Sequence, residues 1–296
     1  MNIHLFGGSN STGQLFINLI KVNYPLTKII VFTRDKDDNF VDLDDPSSYQ
    51  PNSNEDYVLV SFAPVWKISN FLKYLYYSDL SKFEKIKGII ICSSSSQLTK
   101  RFSYNNFDKE LSSKLKNSEE EIFKIFEKSS VPNCIIQPTL IYGNIGKFKD
   151  KNMNLIITVI RKLPFIVLPC SSGKRQPIHA HQLAQLFSLK YDSIIKGEFK
   201  GRERLIVGGD SIISYENMIR KLQNSLSKYD NGRNCKIITI NKRLFVFLIA
   251  PLNLISPKIF ESLLRISSDL SGFNRVSELT NKKQLEFPIE DKDLFM

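Results

Sequence analysis

Ile3-His4-Leu5-Phe6-Gly7-Gly8-Ser9-Asn10-Ser11-Thr12-Gly13 decides the reading of this chain. A short apolar run ends at two glycines, as a strand closed by a turn does. Gly13 then opens a stretch with Leu15, Phe16, Leu19 and Ile20 on one face, which is helical spacing. Lys28 to Thr33 is a second apolar run. Residues 1–33 therefore read as strand–helix–strand, which implies a right-handed parallel crossover.

The alternation continues downstream. Tyr57 to Phe62 reads as a strand, 66–77 as a helix, Ile86 to Cys92 as a strand buried on both faces, 108–128 as a helix and Asn133 to Ile141 as a strand. This is the pattern of a doubly wound α/β sheet running from residue 2 to about 142. Residues 34–56 break it. They carry Asp35, Asp37, Asp38, Asp42, Asp44, Asp45, Glu55 and Asp56, so a charged loop is expected, with a third strand near Phe40–Leu43 short or missing. From about 145 the pattern is less regular. Leu155–Arg161 and 215–227 read as helices, the latter capped by Ser214, and Leu205–Val207 as a strand. The expected division is a first part over 1–145, with 176–192 packing back on it, and a smaller, mostly α/β second part over 146–296.

Composition narrows the function classes. The chain has 296 residues, 42% hydrophobic and 24% charged, with a formal net charge of +11. That excludes a disordered, collagen-like or disulfide-scaffold chain. Cys92, Cys134, Cys170 and Cys235 lie far apart with no CxxC pair, so a reduced, cytoplasmic setting is expected. The N-terminus shows no signal-peptide pattern. The most apolar run, Leu244 to Ile255, is broken by Pro251 and is too short to span a membrane, so it reads as a buried helix or segment. The cations are scattered and no nucleic-acid-binding motif appears, so no nucleic-acid partner is expected. An anionic small ligand accounts for the basic excess.

Gly7 to Gly13, between strand and helix, is where a dinucleotide pyrophosphate meets backbone N–H groups and the helix dipole. The spacing fits G-x-x-G-x-x-G with Asn10 in the middle slot, a residue that tolerates left-handed backbone. Arg34 closes the second strand. An arginine there accommodates the 2′-phosphate of NADP, which puts NADP ahead of NAD, although Asp35 follows directly.

At this point the chain resembles the extended and atypical short-chain dehydrogenase/reductase superfamily, and within it the NAD-dependent epimerase/dehydratase family of nucleotide-sugar epimerase-like proteins. Gly7–Gly13, the strand ending in Ser93-Ser94-Ser95-Ser96, Gln137-Pro138-Thr139-Leu140-Ile141-Tyr142-Gly143 and Gln176-Pro177-Ile178-His179-Ala180-His181-Gln182-Leu183-Ala184 carry the resemblance in order. A closing Leu285-Glu286-Phe287-Pro288 adds to it. The resemblance implies a doubly wound Rossmann sheet and a smaller C-terminal substrate domain. It implies NADP or NAD held by Gly7, Ser9, Asn10, Ser11, Thr12, Gly13, Arg34, Ala63, Pro64, Ser93, Pro138 and Thr139. It also implies a small-molecule substrate such as a nucleotide sugar, and a homodimer is compatible with it.

The family's chemistry uses a strand-end serine with a tyrosine and lysine in YxxxK. Ser94 or Ser95 fills the serine slot. No YxxxK exists in 97–128. With Lys116 as the lysine, four residues before Glu120, the tyrosine slot holds Ser112; with Lys114, it holds Glu110. Tyr104 lies upstream as a substitute phenol. His179 and His181, two apart, share a strand face, but no third metal ligand is near in sequence. Lys174 and Arg175 fall where the resemblance places a nucleotide diphosphate. Two functions follow. One is an NAD(P)-dependent epimerase, dehydratase or reductase of a nucleotide sugar or a similar carbonyl or alcohol. The other is a non-catalytic NADP-binding protein with a structural, redox-sensing or partner-binding role.

Overall fold

The computed structural model describes residues 1–35, 39–51, 55–146, 148, 150 and 152–289. Of the acidic loop, Asp37 and Asp38 lie outside the described residues. Seven strands form one wholly parallel sheet: β1 (Asn2–Phe6), β2 (Ile29–Phe32), β3 (Tyr57–Ser61), β4 (Ile86–Cys92), β5 (Asn133–Pro138), β6 (Arg202–Gly208) and β7 (Asn274–Arg275). Their order is β7-β6-β5-β4-β3-β1-β2. The sheet therefore does not end near 142. The chain returns to it twice from the C-terminal part.

Strand periodicity divides the core. Phe6, Phe32, Leu59, Ile89, Ile91 and Ile135 face a layer formed by α2 (Val65–Ser78) and α3 (Asn106–Ile125). Ile3, Leu5, Val58, Val60, Ile90 and Ile136 face the opposite layer. There α1 (Ser11–Asn23) lies beside the helix at Ala180–Ile195. Side chains alternate across a strand, so runs such as Ile89-Ile90-Ile91 must be apolar throughout.

The third strand of the doubly wound pattern is reduced to one bridge, Thr33 to Phe40. Among the described residues of 35–56 the remaining regular structure is a single 3-10 turn, Pro46–Ser48, capped by Asp45. This stretch has too few apolar residues to cover another crossover.

The C-terminal part holds α4 (Asn152–Lys162), then α5 (Ala180–Ile195) on the sheet, α6 (Tyr215–Ser225), α7 (Lys242–Ile249), α8 (Leu252–Ile255), α9 (Pro257–Leu264) and α10 (Val276–Thr280). Ser214 caps α6 by accepting from Asn217 N–H at 3.1 Å, as its position predicts. A parallel ribbon, Phe165–Pro169 with Lys236–Ile240, backs this part. Ile160, Leu168, Ile219, Cys235, Phe245, Ile249 and Ile266 form its core.

The apolar run 244–255 is not buried as expected. Phe245 and Ile249 face the core, but Phe247, Leu248, Leu254 and Ile255 are exposed. Pro251 divides it into α7 and α8, and of the two apolar faces of α7 only the one bearing Phe245 and Ile249 is buried among the described residues. No helix among the described residues is long and apolar enough to cross a membrane.

Candidate dinucleotide and substrate cavities

The chain runs from β1 to β2 on one side, then crosses to β3 on the other. Ligands of open parallel sheets bind at such a switch, outside the strand carboxyl ends. A cavity of about 670 Å³ lies there. Gly7, Ser9, Asn10, Arg34, Asp35, Ala63, Pro64 and Lys67 form its polar and backbone walls, over an apolar floor that includes Phe32, Val41 and Leu43.

The glycine loop is shaped by close packing. Gly7 has φ of +73°, and a Cβ there would meet the Ala63 nitrogen at 2.5 Å. A Cβ on Gly13 would meet Gly8 Cα at 2.8 Å. These contacts seat α1 against the end of β1 and open its N-terminus toward the cavity. Asn10 works differently from the expectation. Its backbone is extended, with φ of −136°, so left-handed tolerance is not used. It is the N-cap of α1, which starts at Ser11 rather than Gly13. Its Oδ1 accepts from Gly13 N–H at 2.8 Å while its Nδ2 donates to Gly7 O at 2.9 Å. The cap thereby stitches the loop to the helix.

Of the expected cofactor residues in the glycine loop, Ser11, Thr12 and Gly13 do not line this cavity. Ser11 and Thr12 are buried, and Ser11 Oγ donates to Phe148 O at 3.2 Å. Arg34 does line it, beside Lys67, whose ammonium pairs with Asp44. Lys67 was missed in the sequence because it sits one helical turn after Ala63-Pro64 with no motif to mark it.

A second cavity, about 440 Å³, lies beyond the ends of β4 and β5. Ser94, Ser95, Thr139 and Gln176 meet Lys100, Arg175 and Arg265 around it, with Leu155 and Ile156 of α4 as its apolar side. Ser95 N–H donates to Pro138 O at 3.0 Å, which fixes the serine run over β5. Ser93 is turned away and donates to Glu119, and neither it nor Pro138 lines a cavity. The two sequence blocks at 137–143 and 176–184 zip together. Ile141–Tyr142 pairs in parallel with Ile178–His179, and Gln176 Nε2 donates to Gly209 O at 2.9 Å.

Arg175 lines the cavity, but its guanidinium donates to the carbonyls of Lys174, Ser268 and Arg265. Burial pushes its pKa down, opposed by Tyr215 and Asp269. Lys100 and Arg265 both grip Asp108, at 2.8 Å each. Burial alone would raise the Asp108 pKa, but hydrogen bonds from Lys100, Asn105 and Arg265 hold it at about 2. Asp108 and Arg265 lie 157 positions apart, and sequence spacing carried no signal of their meeting.

The expected acid–base residues are not at the site. Tyr104 is 88% exposed and lines neither cavity. Lys116 is exposed and pairs with Glu120 at 3.8 Å on the outer face of α3. The buried carboxylate of α3 is Glu119. It accepts from Gln137 Nε2 at 2.8 Å and pairs with Arg204 at 3.0 Å. Glu119, not Glu120, is therefore the inward carboxylate, and the residues four and eight positions before it are Leu115 and Leu111. Both pack in the apolar layer under the sheet. Ser112 is buried and its Oγ donates to the carbonyl of Gln97 at 2.6 Å. His179 Nδ1 accepts from His181 N–H as the N-cap of α5, with Gln182 completing the capping box. Its ring is committed to helix capping.

No family model matches the chain, and no curated protein matches it. Solved structures do. The human epimerase family protein SDR39U1, solved with NADPH, aligns with a TM-score of 0.62 and 11% identity over 99% of this chain and 98% of that one. MlghC, a GDP-mannoheptose C4 reductase from Campylobacter jejuni with NADP bound, aligns at 0.63 and 9% over 97% and 94%. MoeE5 in complex with UDP-glucose and NAD aligns at 0.63 and 9% over 100% and 96%. Likeness at this identity is a likeness of fold: the chain shares the doubly wound α/β architecture of these structures.

Proposed function

We propose that this chain binds NADP(H) in the switch-point cavity and acts as a reductase, epimerase or dehydratase on a nucleotide sugar or a similar anionic carbonyl or alcohol. The observation that carries the reading is the pair of cavities along one sheet edge. Gly7, Arg34 and Lys67 border one; Ser94, Ser95 and three cations border the other. The cradle fits a dinucleotide, because a Cβ at Gly7 or Gly13 would fill it with backbone clashes. Gly7, Ser9 and the start of α1 would take the pyrophosphate, and Arg34 with Lys67 a 2′-phosphate. When bound, the dinucleotide supplies or accepts a hydride. Ser94 and Ser95 would hydrogen-bond the substrate oxygen, and Lys100, Arg175 and Arg265 would attract a diphosphate. The structural relatives solved with NADPH, NADP or NAD support the cofactor.

A second reading rests on Leu111 and Leu115. With apolar residues in the slots of the proton relay, the same cavity serves a non-catalytic NADP-binding protein. One experiment separates the two. NADPH and NADH are titrated by fluorescence, then NADPH oxidation is followed with keto forms of UDP-, GDP- and dTDP-sugars. NADPH binding with a slow turnover that Ser95→Ala abolishes supports the enzyme. Binding with neither NADPH oxidation nor, in the presence of NADP+ or NAD+, any epimerised or dehydrated product from the parent UDP-, GDP- and dTDP-sugars supports the second reading. Failure to bind either nucleotide overturns both.

A further inference from the structure

The exposed side of α7–α9 is unlike the rest of the surface. Phe247 is 75% exposed, Leu254 90% and Ile255 80%, with Leu244, Leu248 and Ile259 at least half exposed. Single exposed apolar residues are ordinary, but a cluster of six on three consecutive short helices marks an interaction face. On α7 the spacing 244, 247, 248 is one helical stripe. It lies opposite Phe245 and Ile249, which already fill the core.

The charge around this stripe has one sign. Between Asp230 and Glu261 the chain carries Arg233, Lys236, Lys242, Arg243 and Lys258, and no carboxylate. Lys242 and Arg243 begin α7 and are exposed. Lys258 lies 3.5 Å from the ring centroid of Phe107, itself half exposed. Through that contact the face continues onto the start of α3. A second copy of this chain would bring like charges together at such a face, which disfavours pairing. An anionic lipid surface meets both properties at once: apolar side chains enter the headgroup–acyl boundary while cations meet lipid phosphates.

We propose that α7–α9 dock this protein peripherally on an anionic bilayer, with Phe247, Leu248, Leu254 and Ile255 inserted and Lys242, Arg243 and Lys258 at the headgroups. Pro251 and Pro257 keep the helices short, so the segment lies on the membrane rather than across it. The same helices continue to Arg265, which walls the second cavity. Docking therefore brings that cavity near the lipid surface. The inference stands whether or not a dinucleotide binds.

Flotation with phosphatidylcholine vesicles, with and without phosphatidylglycerol, tests it. The full chain should float with the phosphatidylglycerol vesicles and at least tenfold less with phosphatidylcholine alone or in high salt. The variant Phe247→Ser/Leu248→Ser/Leu254→Ser/Ile255→Ser should lose flotation at least tenfold while keeping its melting temperature, since these side chains are exposed. Lys242→Glu/Arg243→Glu should lose the preference for anionic lipid. Wild-type protein that stays unbound with phosphatidylglycerol vesicles overturns the proposal, as do variants that float like wild type. A wild-type dimer that the quadruple serine variant converts to monomer in light scattering also overturns it, giving the face to a second copy.

Discussion

The carboxylate of Asp108 and the guanidinium of Arg265 meet at 2.8 Å across the boundary between the sheet and the C-terminal part. Asp108 is fully buried and Lys100 holds its other oxygen. Removing the carboxylate leaves two cations facing one another, with Glu261 at 3.9 Å from Arg265 as the remaining counter-charge. Asp108→Ala should cost about 3–5 kcal/mol, the usual loss when one partner of a buried pair is deleted. Arg265→Ala should cost less, because Lys100 still neutralises Asp108. Urea unfolding of both variants checks the order. Equal losses would mean that Lys100 contributes nothing.

Arg34 should set cofactor preference. Arg34→Glu should weaken NADPH binding by about 1.5–3 kcal/mol, the worth of hydrogen bonds to a charged group, and leave NADH nearly unchanged. Parallel titrations read this directly. Equal losses for both nucleotides would remove Arg34 from the 2′-phosphate.

Gly7 is constrained twice, by positive φ and by backbone at 2.5 Å. Gly7→Ala should destabilise the chain by about 1–3 kcal/mol and remove nucleotide binding together with it. Thermal melts with and without NADPH test this. A variant still stabilised by NADPH as the wild type is would show that the loop does not cradle phosphate.

Ser112→Tyr, the change that would rebuild a phenol in the slot first read from the sequence, should gain no activity. The site is buried and Ser112 is already bonded to Gln97 O, so a ring there overpacks the contact between α3 and the 96–99 turn, at a cost of about 1–3 kcal/mol. Turnover that rises in this variant would return the tyrosine slot to Ser112.

Two buried histidines should make the fold acid-sensitive. Burial, then the charge of Lys28, lowers the His4 pKa to about 4; burial, then His181, lowers that of His179 to about 4. Both are neutral in either state above the unfolded value near 6.5, so nothing changes there. As pH falls from 6.5 toward 4 the unfolded chain takes up protons that the fold refuses, and stability drops, by up to about 3 kcal/mol for each group. Melting temperature should fall through this window, with a shallower slope in His4→Phe. An identical slope in that variant would mean that His4 protonates inside the fold.

Residues 1–33 and the runs at 57–62, 86–92 and 133–141 were legible alone, because a sheet covered on both faces needs continuous apolar strands and a crossover needs a helical stripe between them. The glycine loop was equally plain, and so was the missing third strand, since a run of aspartates cannot cover a sheet. Long-range and one-residue questions were decided by the tertiary structure. Whether Glu119 or Glu120 turns inward depends on where α3 meets β5: Glu119 meets Arg204 and Gln137, while Lys116 and Glu120 pair on the outer face. Arg202–Gly208 and Asn274–Arg275 join the sheet only because the chain returns twice, pairing first with β5 and then with β6. Asp108, beside Lys100, finds Arg265 only when the two parts close on one another. The exposure of Phe247 and Leu254 is of the same kind: an apolar run marks what avoids water, and only packing shows which of its faces the protein itself covers.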